Sequence, residues 1–311
     1  MSATLEIDGL VRHFDNVRAV DGVSFSAERG QVLGFIGHNG AGKTTTMRIL
    51  ATLDVPQRGD ARVGGYSVID HPRDVRRLTG FMPDYAGVYA NTTVVEYLDF
   101  FARAHMLHGA ARRRAVANVI EFMGLGELQE RPAESLSKGL KQRVALGRAI
   151  IHDPKVLLLD EPAANLDPRA RIEFRTLIRE LAGDGKTILL SSHILTELAE
   201  MCDTVAVIEK GRLLATGTVA EILARVRQRR MLSVRIAGAS ASLERFLIEQ
   251  AGVFHVHEAG GRLQFEFDGG DAEQVQLIAR IVGAGFAVLE FAAHRAGLED
   301  LFIEITETPS S

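Results

Sequence analysis

Apolar and polar residues alternate at Leu5 and Ile7 and again at Val20, Val23 and Phe25, the two-residue period of a half-buried strand. Asp21-Gly22 inside the second run predicts a turn. The run Val32-Leu33-Gly34-Phe35-Ile36 is apolar, short and flanked by glycine, as a fully buried strand would be. A glycine-rich loop follows, then a helical stretch from Thr45 to Leu53. From Val94 to Met123 the period lengthens: Val94, Tyr97, Leu98 and Phe101 share one helical face, and Ala115, Val119 and Phe122 share another. A helical insertion is expected there. Strands then alternate with helices: Val156 to Leu159, Ala170 to Leu181, Thr187 to Leu190, a helix holding Glu197 to Met201, and Val205 to Ile208. That rhythm predicts an α/β fold with a mainly parallel sheet covered by helices on both faces.

A cluster of arginines, Arg225, Arg227, Arg229 and Arg230, marks a boundary. It divides the chain into residues 1–230, with a helical subdomain at about 91–150, and an accessory domain of 231–311. In the second part Leu232 to Ile236 reads as a strand and Leu243 to Gln250 as a helix. Phe254 to Glu258 and Leu263 to Phe267 read as a hairpin turned at Gly260-Gly261, followed by a helix from Ala272 to Val282 and a strand from Ala287 to Phe291. This β-α-β-β-α-β order predicts a small α+β ferredoxin-like domain.

Composition narrows the classes. At 311 residues, 46% hydrophobic and 24% charged, the chain is of ordinary globular type. A formal charge of −4 argues against a dedicated nucleic-acid partner. Cys202 is the single cysteine, which excludes an internal disulfide and a cysteine-held zinc cluster; its apolar setting marks it as core. Met1 to Gly9 lacks the layout of a secretory signal. The most apolar late stretch, Leu277 to Ala293, is interrupted by Arg280, Gly283, Gly285 and Glu290, so no membrane-spanning helix is expected.

The chemistry concentrates in two segments. Gly37-His38-Asn39-Gly40-Ala41-Gly42-Lys43-Thr44 fits G-x-x-x-x-G-K-[ST], a phosphate-binding loop between strand and helix. Its glycines let backbone N–H groups converge on one anion, and the following helix, which Thr45 joins, adds its positive end. Lys43 would reach the β- and γ-phosphates, and the Thr44 hydroxyl would ligate Mg²⁺. The second segment, Val156-Leu157-Leu158-Leu159-Asp160-Glu161, carries two carboxylates to the sheet edge where that loop lies. Asp160 would hold the Mg²⁺ shell, and Glu161 would orient or deprotonate an attacking water.

With these in place, Leu136-Ser137-Lys138-Gly139-Leu140-Lys141-Gln142-Arg143 resembles the signature of ABC-type ATPases, usually written LSGGQ. Asn165-Leu166-Asp167 resembles that family's D-loop, and His193 in Ser191-Ser192-His193 its switch histidine. The resemblance spans Leu5 to Gly217. It implies ATP and Mg²⁺ as cofactors and a second ATP-binding subunit, expected to be a second copy, closing head to tail. Ser137 and Gly139 of one copy would then contact the γ-phosphate held by Lys43 of the other, while His193 would stabilise developing charge. Phe14 occupies the place of the aromatic that stacks on adenine. Two segments depart from the family pattern. Asp84, after Phe81-Met82-Pro83, stands where glutamine is usual and is expected to touch the metal or water. In the signature, Lys138 replaces the first glycine, and Leu140-Lys141 stand where the motif is usually smaller.

The resemblance further implies an ATPase at the cytoplasmic face of the cell membrane, in the multidrug and sodium exporter branch. Coupling helices of a separate transmembrane permease would dock on the Tyr97-Leu98 region and the Asp84 loop. The alternative is an ABC-type ATPase acting on nucleic acid or ribosomes without a permease. Such proteins usually carry two nucleotide domains, a long coiled coil or zinc modules, and this chain has one phosphate loop, no heptad run and one cysteine. No N-K-x-D guanine reader accompanies the loop.

Overall fold

The computed structural model describes residues 4–85, 87, 89, 91–164, 166–194, 200–226, 230–238 and 240–294. The chain divides into two compact units, Met1–Val219 and Ala220–Ser311.

The first unit contains two sheets. The strands β1 (Leu5–Phe14), β2 (Val17–Ala27), β4 (Arg58–Val63) and β5 (Tyr66–Ser67) form an antiparallel sheet in the order β2-β1-β4-β5. The larger sheet uses β3 (Val32–Ile36), β6 (Thr79–Met82), β7 (Val156–Leu159), β8 (Thr187–Ser192), β9 (Thr204–Glu209) and β10 (Arg212–Thr218). Its order is β10-β9-β3-β8-β7-β6. Every pairing is parallel except that of β10 with β9. All residues of β3, β7 and β8 are buried, which explains their continuous apolar runs: both faces of these strands are covered.

Helices α1 (Lys43–Leu50), α2 (Pro72–Leu78), α3 (Val94–Ala104), α4 (Gly109–Phe122), α5 (Lys138–Ile150) and α6 (Pro168–Gly183) belong to this unit, and α7 (Val219–Val226) begins at its last residue and runs into the second. The insertion between β6 and β7 carries α3, α4 and α5. Thr93 and Glu96 start α3 with a reciprocal capping box. The periodic stretch expected from Val94 to Met123 is two helices, because the chain turns at His105 and Met106, the latter at φ +62°. In α4 the buried residues are Val116, Val119 and Ile120; of the expected face Val119 is buried, and Ala115 and Phe122 are half-buried. The expected helix at Glu197 to Met201 lies largely outside the described residues.

One local expectation is corrected. Asp21-Gly22 makes no turn; β2 runs through it, and the reversal falls earlier, where Asp15 takes φ +47°. Leu10 pairs with Val23 and Val11 with Asp21, so Gly22, at φ +78°, is the unpaired residue of a bulge. An Asp-Gly pair supplies the left-handed backbone that either feature needs, and the partner strand decides between them.

The second unit has β11 (Arg230–Ile236), α8 (Ala241–Ile248), β12 (Val253–Ala259), β13 (Arg262–Phe267), α9 (Asp271–Gly283) and β14 (Val288–His294). They form an antiparallel sheet in the order β12-β13-β11-β14, the ferredoxin-like arrangement. The β12–β13 hairpin turns at Gly260 and Gly261, both at positive φ, as a two-residue loop between twisted strands requires. Leu232, Val234, Phe265 and Phe267 pack with Leu243, Leu247, Leu277 and Ile281 as this unit's own core.

Candidate nucleotide site

The site starts where β3 ends. Gly37 and Gly42 bracket the loop, and neither position has room for a side chain. A Cβ on Gly37 would lie 2.4 Å from the Ile208 carbonyl oxygen, and one on Gly42 would lie 2.2 Å from that of Ala19. Gly42 sits at φ +111° and is the N-cap of α1, which has no side-chain cap and no acid in its first turn. The helix therefore presents bare N–H donors and the positive end of its dipole to the loop, the arrangement that holds phosphate. The Thr46 N–H and hydroxyl both donate to the Gly42 carbonyl at 2.9 Å and pin the helix start.

Lys43 is only 5% exposed. Its ammonium donates to the carbonyls of Gly37 (2.6 Å) and His38 (3.2 Å) and stands 3.4 Å from Glu161 Oε1. Burying that charge is tolerable because carbonyls and a carboxylate surround it.

Strand β7 delivers the acids. Asp160 is 1% exposed and accepts a hydrogen bond from the Ser191 hydroxyl at 2.6 Å. The same hydroxyl accepts from the Glu161 N–H at 2.8 Å. Ser191 thus ties the acid pair to β8. Glu161 adopts φ +48°, a left-handed conformation costly for a side-chain-bearing residue. Its carboxylate lies between two groups: Oε2 accepts from His193 Nδ1 at 2.9 Å, and Oε1 faces Lys43. Oε1 is buried and makes no hydrogen bond, leaving an acceptor aimed into the site.

Ala19, Asn39, Gly40, Gly42, Lys43, Thr44, Thr45, Asp84 and Glu161 line one cavity of about 180 Å³. Burial, with the charges on Asp160 and Glu161, pushes the Asp84 carboxyl above its ordinary value; His193 acts the other way. These donors fit Mg²⁺: hard carboxylate oxygens and a hydroxyl beside a phosphate cradle. Among the described residues no three acidic, imidazole or thiol groups converge closely enough to hold a metal alone. That suits an ion which binds through one or two carboxylates plus the substrate's phosphates.

Three expected residues lie elsewhere. Ser137 caps α5, its hydroxyl accepting from the Leu140 N–H at 3.4 Å, and with Gly139 it lines a second cavity of about 290 Å³ that shares no residue with the first. The chain does not bring its own signature to its own phosphate loop. Phe14 is 42% exposed at the end of β1, with the Arg12 guanidinium 4.4 Å above its ring; it is no core residue, and it does not line the cavity. Arg12 is fixed in turn by Asp54 at 3.0 Å. In the D-loop segment, Asp167 caps α6 and Leu166 lines the second cavity, whereas Asn165 lies outside the described residues. Cys202 is buried, and burial raises its thiol, as expected of a core residue.

The sequence reading missed the role of Ser191. Its signal is register: Leu159 pairs with Leu190, which sets the next residues, Asp160 and Ser191, side by side.

Comparisons with known proteins agree with this geometry. Residues 20–164 match the family model described as "ABC transporter", and residues 217–306 match "ATP-binding protein DrrA1-3-like, C-terminal domain". The chain is 34% identical over 310 residues to a daunorubicin/doxorubicin resistance ATP-binding protein of Streptomyces peucetius, covering 98% of this chain and 93% of that one. It is 37% identical over 219 residues to the Nod factor export ATP-binding protein I of Ralstonia nicotianae, covering 70% and 68%. Among solved structures, an ATP-binding subunit of an ABC transporter superposes with TM-score 0.65 at 31% identity, covering 71% of this chain and 92% of that chain. The protein cbiO1 of Clostridium perfringens, part of the ABC transporter complex cbiONQ, superposes with TM-score 0.66 at 27% identity, covering 73% and 94%. With likeness of that extent and a glycine loop whose lysine faces the acid pair of β7, the chain belongs to the ABC transporter ATP-binding proteins, the subunits that hydrolyse ATP to power transport.

Proposed function

We propose that this chain drives export through a separate membrane-spanning permease, and that two copies close head to tail around ATP at each power stroke. The carrying observation is the Glu161 carboxylate, held between Lys43 and His193 at the mouth of the glycine loop. Backbone N–H groups of Gly40 to Thr44 grip the phosphates, and Lys43 leaves its carbonyls to meet the β- and γ-oxygens. Glu161 takes up a proton from, or orients, the water that attacks the γ-phosphorus, and His193 fixes that carboxylate by donating from Nδ1. Thr44, Asp160 and Asp84 hold Mg²⁺, which supplies charge neutralisation on the phosphates. Phe14 stacks on the adenine. Ser137 and Gly139 of the second copy complete the site, consistent with their lining a cavity that shares no residue with the one at the loop of their own chain.

Export as the direction is supported by the relatives' names, among them the antibiotic resistance and Nod factor export proteins. No described helix is long and apolar enough to cross a membrane, so the reading places the pathway in a partner and this chain on the cytoplasmic face, held by that partner. Glu161→Gln should lower the ATPase rate at least ~100-fold while leaving nucleotide binding intact; an unchanged rate would remove Glu161 from the chemistry. Purification of tagged chain from its native membranes should recover a polytopic membrane protein, and recovery of RNA in its place would overturn the transport reading.

A further inference from the structure

Two departures from the family pattern change charge in opposite senses, and the structure places them in different cavities. Asp84 adds a carboxylate where glutamine is usual. The nucleotide cavity then holds Asp84 and Glu161 with Asp160 beside them, against Lys43, whose ammonium is already engaged by Gly37, His38 and Glu161. A triphosphate entering this site meets one more negative charge than glutamine would present.

Lys138 adds a cation where glycine is usual. It lines the Ser137–Gly139 cavity and is exposed. The other cations there, Arg143 and Arg169, are both spent on Glu173, at 2.6 and 3.1 Å. Lys138 has no ion-pair partner among the described residues. Its position is also unfavourable for its own helix: α5 opens with Lys138 and has no acid in its first turn, so a positive side chain sits on the positive end of the dipole. Helix stability gives no reason for a lysine here.

Within one chain the two cavities share no residue, and Asp84 and Lys138 form no ion pair. We propose that they are complementary between copies: Lys138 of one molecule offsets the carboxylate that Asp84 places in the nucleotide cavity of the other. Resting on the head-to-tail closure proposed above, this makes residue 138 a positioning residue for the partner's site and gives closure a charge term that depends on residue 84.

The test measures ATP-driven dimerisation of the full chain by light scattering, with Mg-ATP, in a Glu161→Gln background that blocks turnover. Each variant is first required to keep the parent's melting temperature. With Asp84 present, Lys138→Gly is expected to weaken the dimer roughly 10-fold, the scale of a close interfacial charge pair. With Asp84→Gln present, the same change is expected to cost less than about 2-fold. Mixing provides the intermolecular readout. Labelled Lys138→Gly protein should associate more tightly with Asp84→Gln protein than with the parent, because only that mixture matches both composite sites. An equal cost of Lys138→Gly in both backgrounds, or equal capture by the two partners, overturns the pairing. Ser137→Arg separates the underlying reading, since a bulky cation at the cap should abolish ATP-driven dimers. If those dimers persist, or the parent stays monomeric with ATP, head-to-tail closure itself fails; if they vanish while Lys138→Gly costs the same everywhere, only the pairing fails.

Discussion

Ser191→Ala removes a single oxygen from a fully buried position, and the structure sets the consequence. That oxygen donates to the Asp160 carboxylate at 2.6 Å and accepts from the Glu161 N–H at 2.8 Å. A hydrogen bond to a charged group contributes about 1.5–3 kcal/mol, and a buried donor left unpaired costs about 1–3 kcal/mol. Because one hydroxyl serves both partners the two do not add in full, and a loss of about 2–4 kcal/mol is expected. Urea unfolding at neutral pH measures this as a shift in midpoint with an unchanged slope. The functional loss should exceed what instability explains. Asp160 and Glu161 lose the tie that sets their direction, and supporting partners of this kind typically contribute about 10–100-fold in metal affinity or activity. Steady-state ATPase assays, run where the variant is still folded, should show that drop together with a higher Mg²⁺ requirement. A variant within about 0.5 kcal/mol of the parent with full ATPase activity would refute the role given to this hydroxyl.

Gly42→Ala forces a Cβ to 2.2 Å from the Ala19 carbonyl at φ +111°, so ATP affinity should fall more than ~10-fold by calorimetry, with overpacking and strain destabilising the fold by a few kcal/mol. Phe14→Leu should weaken ATP several-fold and Phe14→Trp should not, in the same titration, if the exposed ring is an adenine platform. His152 gives a pH signature. Burial above all, with the stacked ring of His105 centred 3.7 Å away, lowers its pKa to about 4. The unfolded chain then binds more protons between about pH 6.5 and 4. Stability is fully present above that window and declines by at most a few kcal/mol as pH falls through it. His152→Gln, which keeps a donor for the Thr79 carbonyl now met at 3.1 Å, should flatten the decline in urea midpoints measured at pH 7.5 and 5.

Local signals carried the sequence reading furthest. The glycine loop, the acid strand and the β-α-β-β-α-β order of the second unit each depend on neighbours along the chain, where pattern and turn residues speak directly. The antiparallel sheet of the first unit was not legible in the same way. Its strand β4 buries only Ala61 and Val63 of six residues, too few to show a period, and its pairing with β1 joins segments far apart in sequence. Gly22 misled because bulges and turns ask the same of the backbone. Ser191 is invisible for a further reason: a serine after an apolar strand is unremarkable until register sets it beside Asp160. The segregation of Ser137 from the phosphate loop is expected from the family resemblance alone, because motif order does not itself encode three-dimensional placement.

Every step of the proposed cycle depends on a triphosphate seated in the glycine loop and engaged by the buried Lys43 ammonium. Purified full-length chain should bind and hydrolyse Mg-ATP, and Lys43→Ala should lower kcat/KM by at least ~100-fold while leaving the urea midpoint of the fold in place. Hydrolysis by the Lys43→Ala protein at the parent's rate and affinity would contradict it.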